Sequence, residues 1–490
     1  MATLIVVNDP KEWPFHIPGV DVVDARNYLT KEEFSDLRSV KLINLCRSYR
    51  YQSTGYYVSL LAEARGHKPL PSVNAIQDIK SQAIVRQVST ELDELIQKDL
   101  ARIQSDKFTL SIYFGRNLAK KYDKLARHLY NLLPSPLMRA QFAKDKEGHW
   151  QLRSASTISA NQIPESHRTF LAQVAAEHFA GRTSRVKKKT KTRYDLAILH
   201  NPKDPEPPSS ENALKKFIKA GEVLGIRSEL ITRDDYARLA EFDALFIRET
   251  TYVNHHTYRF ASRAAKEGLI VIDDPVSIAR CTNKVYLAEL LTRHKIPTPK
   301  TMIVHRDNAG SVEHELGLPC VLKKPDSAFS VGVTKGETSE ELAEQLKHLL
   351  SESDLVIAQA FLPTTFDWRI GIIDGKPLYA CKYHMARDHW QIIRQESHDD
   401  GRYGRVETFP VESAPRKAVS MALKAANLIG NGLYGVDVKQ SGDKFFIIEI
   451  NDNPTIDSGL EDSVLREELY MRIMGVFLSR IEQAKSGVRW

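Results

Sequence analysis

The sequence predicts a multidomain protein of mixed α/β and α+β class, and three observations lead there. The chain has 490 residues, 42% hydrophobic and 27% charged, more than one domain's usual length and enough apolar material for several cores. Its middle alternates short apolar runs with helical stretches, the pattern of a small parallel sheet. Its C-terminal part pairs apolar runs about tight glycine-containing turns, the mark of antiparallel hairpins.

In segment one, residues 1–188, the apolar runs 4–7, 21–25 and 41–46 read as buried strands, each closed by Asn, Asp or Pro. A helix over 54–65 puts Tyr57, Val58, Leu60, Leu61 and Ala64 on one face and stops at Gly66. A strand at 108–115, a helix at 117–133, a strand at 150–157 and a helix at 167–180 complete a mixed α/β domain. The stretch 182–193 has seven Lys or Arg among twelve residues and marks a boundary. In segment two, 189–275, strands at 196–199, 228–231, 244–247 and 269–272 alternate with helices near 211–224 and 256–267. At about 80 residues and without G-x-G-x-x-G, it reads as a supporting lobe. Asp273-Asp274-Pro275 closes it. Segment three, 276–490, opens with a helix at 282–294 capped by Thr282 and stopped by Pro297 and Pro299. Strands follow at 319–324, 355–360, 368–380 (turning at Asp374-Gly375), 434–439 and 444–451.

Composition excludes several classes. The net charge of +7, spread over this length, suits an anionic small substrate as well as a nucleic acid. Four cysteines, none in a C-x-x-C pair, make neither a disulfide framework nor a zinc site, and fit reduced thiols in the cytoplasm. The start MATLIVVNDPKEW lacks the basic region of a signal peptide, and no apolar run approaches a membrane span, so a soluble cytoplasmic protein is expected.

The chemistry concentrates in YGVDVKQSGDKFFIIEINDNP, 434–454. Asp437 and Glu449 lie twelve apart with Asp443, beside Gly442, at the midpoint, so an antiparallel hairpin sets them opposite each other. Asn451, two residues on, shares Glu449's face. Facing carboxylates repel unless a cation lies between, and hard oxygen donors suit magnesium. The alternative is an exposed edge hairpin. Lys323 ends an apolar run before the small-residue loop 327–332, an arrangement that holds phosphates, and Lys284 stands in the apolar setting CTNKVYLAELL. Each lysine alone also reads as a surface charge. The run 356–361 offers backbone groups to an adenine edge. Asp367 can accept ribose hydroxyls, and Arg369 can neutralise a phosphate or carboxylate; together they also read as a local ion pair.

In order, CTNK, IPTP, LKKPDSAFSVGV, IAQAF, the D-x-R of 367–369, GVDV and EINDNPT resemble the ATP-grasp ligases, in particular the RimK-like glutamate ligases and their glutathione-synthetase relatives. The resemblance covers some 290 residues. It implies an ATP-grasp fold, two α+β lobes clamping ATP, preceded by a small Rossmann-like pre-ATP-grasp domain. It implies that Lys284 and Lys323 touch ATP phosphates, that the backbone of Gln359, Ala360 and Phe361 holds adenine, and that Asp367 holds ribose. Asp437, Glu449 and Asn451 then bind two magnesium ions, which manganese can replace, and Arg369 faces the transferred phosphate or the acyl substrate. The implied reaction joins a carboxylate to an amine through an acyl phosphate, with a glutamate-like amino acid as substrate and an amino acid, peptide or protein as acceptor. A homo-oligomer is expected, with no membrane and no nucleic-acid partner. Arg248 in FIRETTYVNHH is the expected carboxylate anchor, beside His255 and His256, which otherwise read as helix-start residues. Loop 325–335 is the expected lid, with Ser-Ala-Phe-Ser at 327–330 where the family has glycines. Lys382-Tyr383-His384 and His389-Trp390-Gln391 replace family motifs on the substrate side, and Lys382 is carried as a substrate residue. Residues 44–72 resemble the N-terminal domain of some RimK-like proteins, and the loop of Arg47, Tyr49, Arg50, Tyr51 and Gln52 suits an anion. Two rival functions stand beside the ligase: an ATP-switched RNA- or ribosome-binding protein using the 182–193 run, and an ATP-grasp kinase.

Overall fold

The computed structural model describes residues 3–37, 40–183, 192–326, 332–387, 389–393 and 404–486. The loop at 327–330, most of the basic run 182–193, and residues 187–189 within it lie outside the described residues. Two compact units result: Met1–Tyr194 with Asp234–Phe242, and Asp195–Arg233 with Asp243–Trp490.

Unit one begins with β1 (Thr3–Val7), β2 (Val20–Asp24), β3 (Lys41–Asn44) and β4 (Lys68–Leu70), in the parallel order β2-β1-β3-β4. Every residue of β1 and β3 is buried, as expected of central parallel strands covered on both faces. The helix Thr54–Ala64 ends before Gly66, whose φ of 69° is the left-handed geometry that closes helices. An antiparallel sheet follows, β5 (Lys107–Tyr113), β6 (Leu137–Lys144) and β7 (Trp150–Thr157). The sequence reading gave no element to β6 or to the helices Val73–Lys80, Gln82–Glu91 and Asp93–Leu100. The short stretch Asp234–Phe242 belongs to this unit, with Ala237, Leu239 and Phe242 buried. There Glu241 Oε2 lies 3.2 Å from Lys41 Nζ, both side chains buried.

Unit two holds three sheets. β8 (Tyr194–Leu199), β9 (Ile226–Ile231), β10 (Ala244–Ile247) and β11 (Ile270–Ile272) are ordered β11-β10-β8-β9, with β10 parallel to β8 and β11. Asp274 caps the helix Pro275–Cys281, so Asp-Asp-Pro ends one strand and starts a helix. The next helix, Lys284–Arg293, is capped by Asn283, whose side chain accepts from Val285 and Tyr286 N–H at 3.0 Å, and not by Thr282, which bonds back to Ile278 O. β12 (Thr301–Val304), β13 (Cys320–Lys323), β14 (Val333–Gly336) and β15 (Val356–Ala360) form the antiparallel sheet β12-β15-β13-β14.

The third sheet is β18-β17-β16-β19-β20. It comprises β16 (Phe366–Ile373), β17 (Lys376–His384), β18 (Val406–Phe409), β19 (Leu433–Ser441) and β20 (Lys444–Asn451). As the sequence led one to expect, the run 368–380 is a hairpin that turns at Asp374 and Gly375, both at positive φ. Trp368, Ile370, Val436 and Val438 face the helix Arg416–Ile429 in a buried cluster. Side chains alternate along a strand, so the odd-numbered residues of β16 and β19 point the other way. Among the described residues no helix is long and apolar enough to cross a membrane.

Candidate active site

The odd-numbered face looks into a cavity of about 910 Å³. Lys284, Lys323, Gln359, Ala360, Phe361, Asp367, Arg369, Asp437, Glu449 and Asn451 all line it. Pairing sets Asp437 opposite Glu449 on one side and opposite Arg369 on the other. The hairpin turn centres between Gly442 and Asp443, with Ser441 opposite Lys444. The register slips next to Asp437, where Ile448 is the extra residue, and this bulge brings Glu449 opposite Asp437.

Facing carboxylates are tolerated here by basic side chains. Arg369 donates Nε to Asp437 Oδ1 and Nη2 to Oδ2, both at 2.7 Å, a bidentate pair. Lys284 Nζ lies 3.0 Å from Glu449 Oε1. Lys439 Nζ donates to Asp367 Oδ1 at 2.8 Å and to Thr364 Oγ1 at 2.6 Å. Burial raises the Asp437 carboxyl above its usual range, partly offset by Arg369. Burial acts in the same sense on Glu449, but Lys284 and Lys323 outweigh it and bring that carboxyl below the usual range. Burial pulls the Lys323 ammonium down to about 8, with Lys284 and Lys439 adding repulsion. Asn451 Nδ2 reaches Gly435 O at 3.4 Å and Asp437 Oδ2 at 3.3 Å, which leaves its amide oxygen for a cation. Two carboxylates and an amide oxygen suit a hard divalent ion with phosphate oxygens.

The other sequence candidates fall elsewhere. Arg248 is 1% exposed and lies behind the cavity wall. It donates to Ser209 Oγ at 3.0 Å, Asn453 Oδ1 at 2.6 Å, Pro454 O at 2.8 Å and Pro208 O. With its donors spent on two loops, it is a stitch and not a carboxylate anchor. Lys382 is also corrected: it pairs with Trp368 on the even face, its ammonium 4.5 Å from the Phe366 ring and 4.9 Å from that of Trp368. Its neighbour Tyr383 lines the cavity instead, with Arg369 4.8 Å over its ring. Ala360 N–H already donates to Lys300 O and Phe361 N–H to Pro319 O, so an adenine edge would meet their carbonyls or Leu362.

Sequence reasoning missed Lys439 and Asp452 on the cavity wall; Tyr383 and Trp390, placed on the substrate side only as parts of their motifs, line it too. Period two from Asp437 and Asp367 would have found Lys439, since it shares Asp437's face and lies opposite Asp367. Asp452, raised by burial to about 7, accepts from Thr251 Oγ1 at 2.8 Å. Trp390 meets Phe361 edge-on at 5.9 Å, and Lys335 Nζ sits 5.0 Å over Phe361.

Residues 281–464 match the RimK-like ATP-grasp domain family, and residues 25–174 match the RimK-like ATPgrasp N-terminal domain. The chain is a RimK-like ATP-grasp protein. Its ATP-grasp domain is similar to curated ligases. The alpha-aminoadipate–LysW ligase LysX of Saccharolobus solfataricus is 26% identical over 49% of this chain and 88% of its own length. A probable alpha-L-glutamate ligase of Marinomonas sp. is 23% identical over 53% of this chain and 89% of its own length. A RimK domain ATP-grasp structure from Sphaerobacter thermophilus aligns over 58% of this chain and 99% of its own, at 16% identity and a TM-score of 0.44. The RimK-like ATP-grasp protein is thus an enzyme of the ATP-dependent ligase class.

Proposed function

We propose that the chain activates a carboxylate as its acyl phosphate and joins it to an amine, with a glutamate-like amino acid among its substrates. A substrate carboxylate oxygen attacks the terminal phosphorus of ATP, and ADP leaves with the bridging oxygen. The amine then attacks the acyl carbon and phosphate departs, leaving an amide. The carrying observation is one cavity in which Lys284, Lys323, Arg369 and Lys439 surround Asp367, Asp437 and Glu449. That cation set suits a triphosphate, whose transfer depends on positioning and charge neutralisation. In this reading Lys284 and Lys323 hold phosphates, Asp367 with Lys439 holds ribose, the 359–362 backbone holds adenine, and Arg369 steadies the transferred phosphate. Two magnesium ions, replaceable by manganese, would be held by Asp437, Glu449 and Asn451 and would supply further charge neutralisation when bound. Arg369 now occupies both Asp437 oxygens, so loading the site requires Arg369 to turn toward substrate.

The relatives' names support an acidic amino acid as one substrate; an amino acid, peptide or protein as the acceptor belongs to the same reading. A three-part chain (1–188, 189–275, 276–490), a cytoplasmic location and a homo-oligomer belong to the same reading, the last testable by light scattering. The deciding experiment incubates the chain with magnesium, ATP and pairs of amino acids, following ADP and product mass. ADP release that needs both an acid and an amine, with a product lighter than their sum by one water, is expected. ADP release with a phosphorylated product and no amine would make the chain a kinase.

A further inference from the structure

A second set of metal-type donors stands at the carboxyl ends of the β11-β10-β8-β9 sheet. The chain leaves β8 for β9 on one side and reaches β10 on the other. The ends of β8 and β10 therefore flank the switch point, where open α/β sheets take ligands. Glu249 follows β10, His200 follows β8, and His255 and His256 begin the helix His256–Lys266. One nitrogen each from His255 and His256 and one Glu249 oxygen lie within 4.8 Å of one another.

Independent observations point to a ligand there. The Glu249 side chain is 5% exposed, and its Oε2 meets no hydrogen-bond partner among the described residues. His256 Nε2 is 2.8 Å from Glu249 Oε1, yet the two are not aligned as a hydrogen bond. His255 Nδ1 lies 3.0 Å from Thr257 Oγ1, which leaves its Nε2 available and matches the outer hydrogen bond that orients metal-bound imidazoles.

We propose that Glu249, His255 and His256 bind one divalent transition metal of the zinc type, at a site separate from the magnesium hairpin. Two imidazoles and one carboxylate are a zinc-like donor set with a position left for water, whereas magnesium prefers oxygen throughout. The ion would join both ends of the loop 249–255, whose Thr250, Thr251 and Tyr252 line the ATP-grasp cavity. Its role is thus to staple that wall, and the proposal does not depend on the ligase reading.

The test titrates the full-length, chelator-stripped chain with Co2+ in the absence of nucleotide, by calorimetry and visible absorption. About one equivalent should bind with the spectrum of imidazole-ligated cobalt, be displaced by Zn2+ and resist Mg2+. Glu249→Gln, His255→Ala and His256→Gln should each weaken binding at least about 100-fold, and Thr257→Ala about tenfold. Glu449→Gln should bind as the unaltered chain does. No saturable cobalt binding, or binding that survives in His255→Ala and His256→Gln, would overturn the site and leave Glu249 and His256 a plain ion pair. Loss in Glu449→Gln alone would assign the ion to the hairpin and overturn it equally.

Discussion

Asp437 and Arg369 are each other's main partner, 10% and 15% exposed as side chains. Replacing one member of a buried pair leaves the other's charge uncompensated, at a cost of about 3 kcal/mol. Asp437→Asn should therefore lose turnover and also lower the unit's denaturation midpoint. Glu449→Gln should lose turnover with a smaller stability change, since the Glu449 side chain, 29% exposed, sits at a more open position than Asp437; equal midpoints for the two variants would contradict the pairing. Lys323 gives a pH test. Its proton leaves the folded chain near pH 8 and the unfolded chain near pH 10.4. Between those values the unfolded chain binds more protons, so this lysine's contribution to stability rises with pH. Nucleotide binding runs the other way, because a phosphate needs the ammonium. Binding ATP with magnesium at pH 8 should take up about half a proton at this group, read by calorimetry in buffers of different ionisation heat. Lys323→Arg, always charged, should bind without that uptake.

At the scale of a strand, period two divides the third sheet into a polar cavity face and an apolar face. Arg369, Asp437 and Lys439 stand on one, and Trp368, Val436 and Val438 on the other. Lys382 keeps company with the second set, lying over Phe366, Trp368 and Phe409. Lys382→Met should therefore leave kcat and KM within about twofold, because the methionine stem fills the same aromatic groove. Lys439→Met, which frees Asp367 from its partner, should raise KM for ATP by about tenfold or more. Steady-state kinetics on the two variants checks the assignment, and a large loss in Lys382→Met would place that ammonium in the cavity after all.

For the molecule as a whole, every cavity residue discussed belongs to unit two, whereas Asp234–Phe242 belongs to unit one. A chain beginning at residue 192 should keep its affinity for ATP with magnesium within about threefold, yet aggregate, because Leu239, Glu241 and Phe242 lose their packing and Lys41. Replacing Leu239 and Phe242 by serine should restore solubility; a soluble fragment that fails to bind ATP would place part of the nucleotide site in unit one. Sequence alone determined the Asp437–Glu449 hairpin, the alternating strands and helices of the β8 to β11 lobe and the lysine that ends β13. Each follows from local rules, namely turn chemistry, period two and strand–helix alternation, that act within some twenty residues. Tertiary structure alone decided that Arg248 is spent on the Pro208 and Pro454 loops, that Arg369 clasps Asp437, and that Asp234–Phe242 leaves its neighbours in sequence for unit one. Those outcomes turn on which distant groups compete for one buried charge or apolar face, and a charge's partner is set by distance in space, which spacing along the chain does not encode.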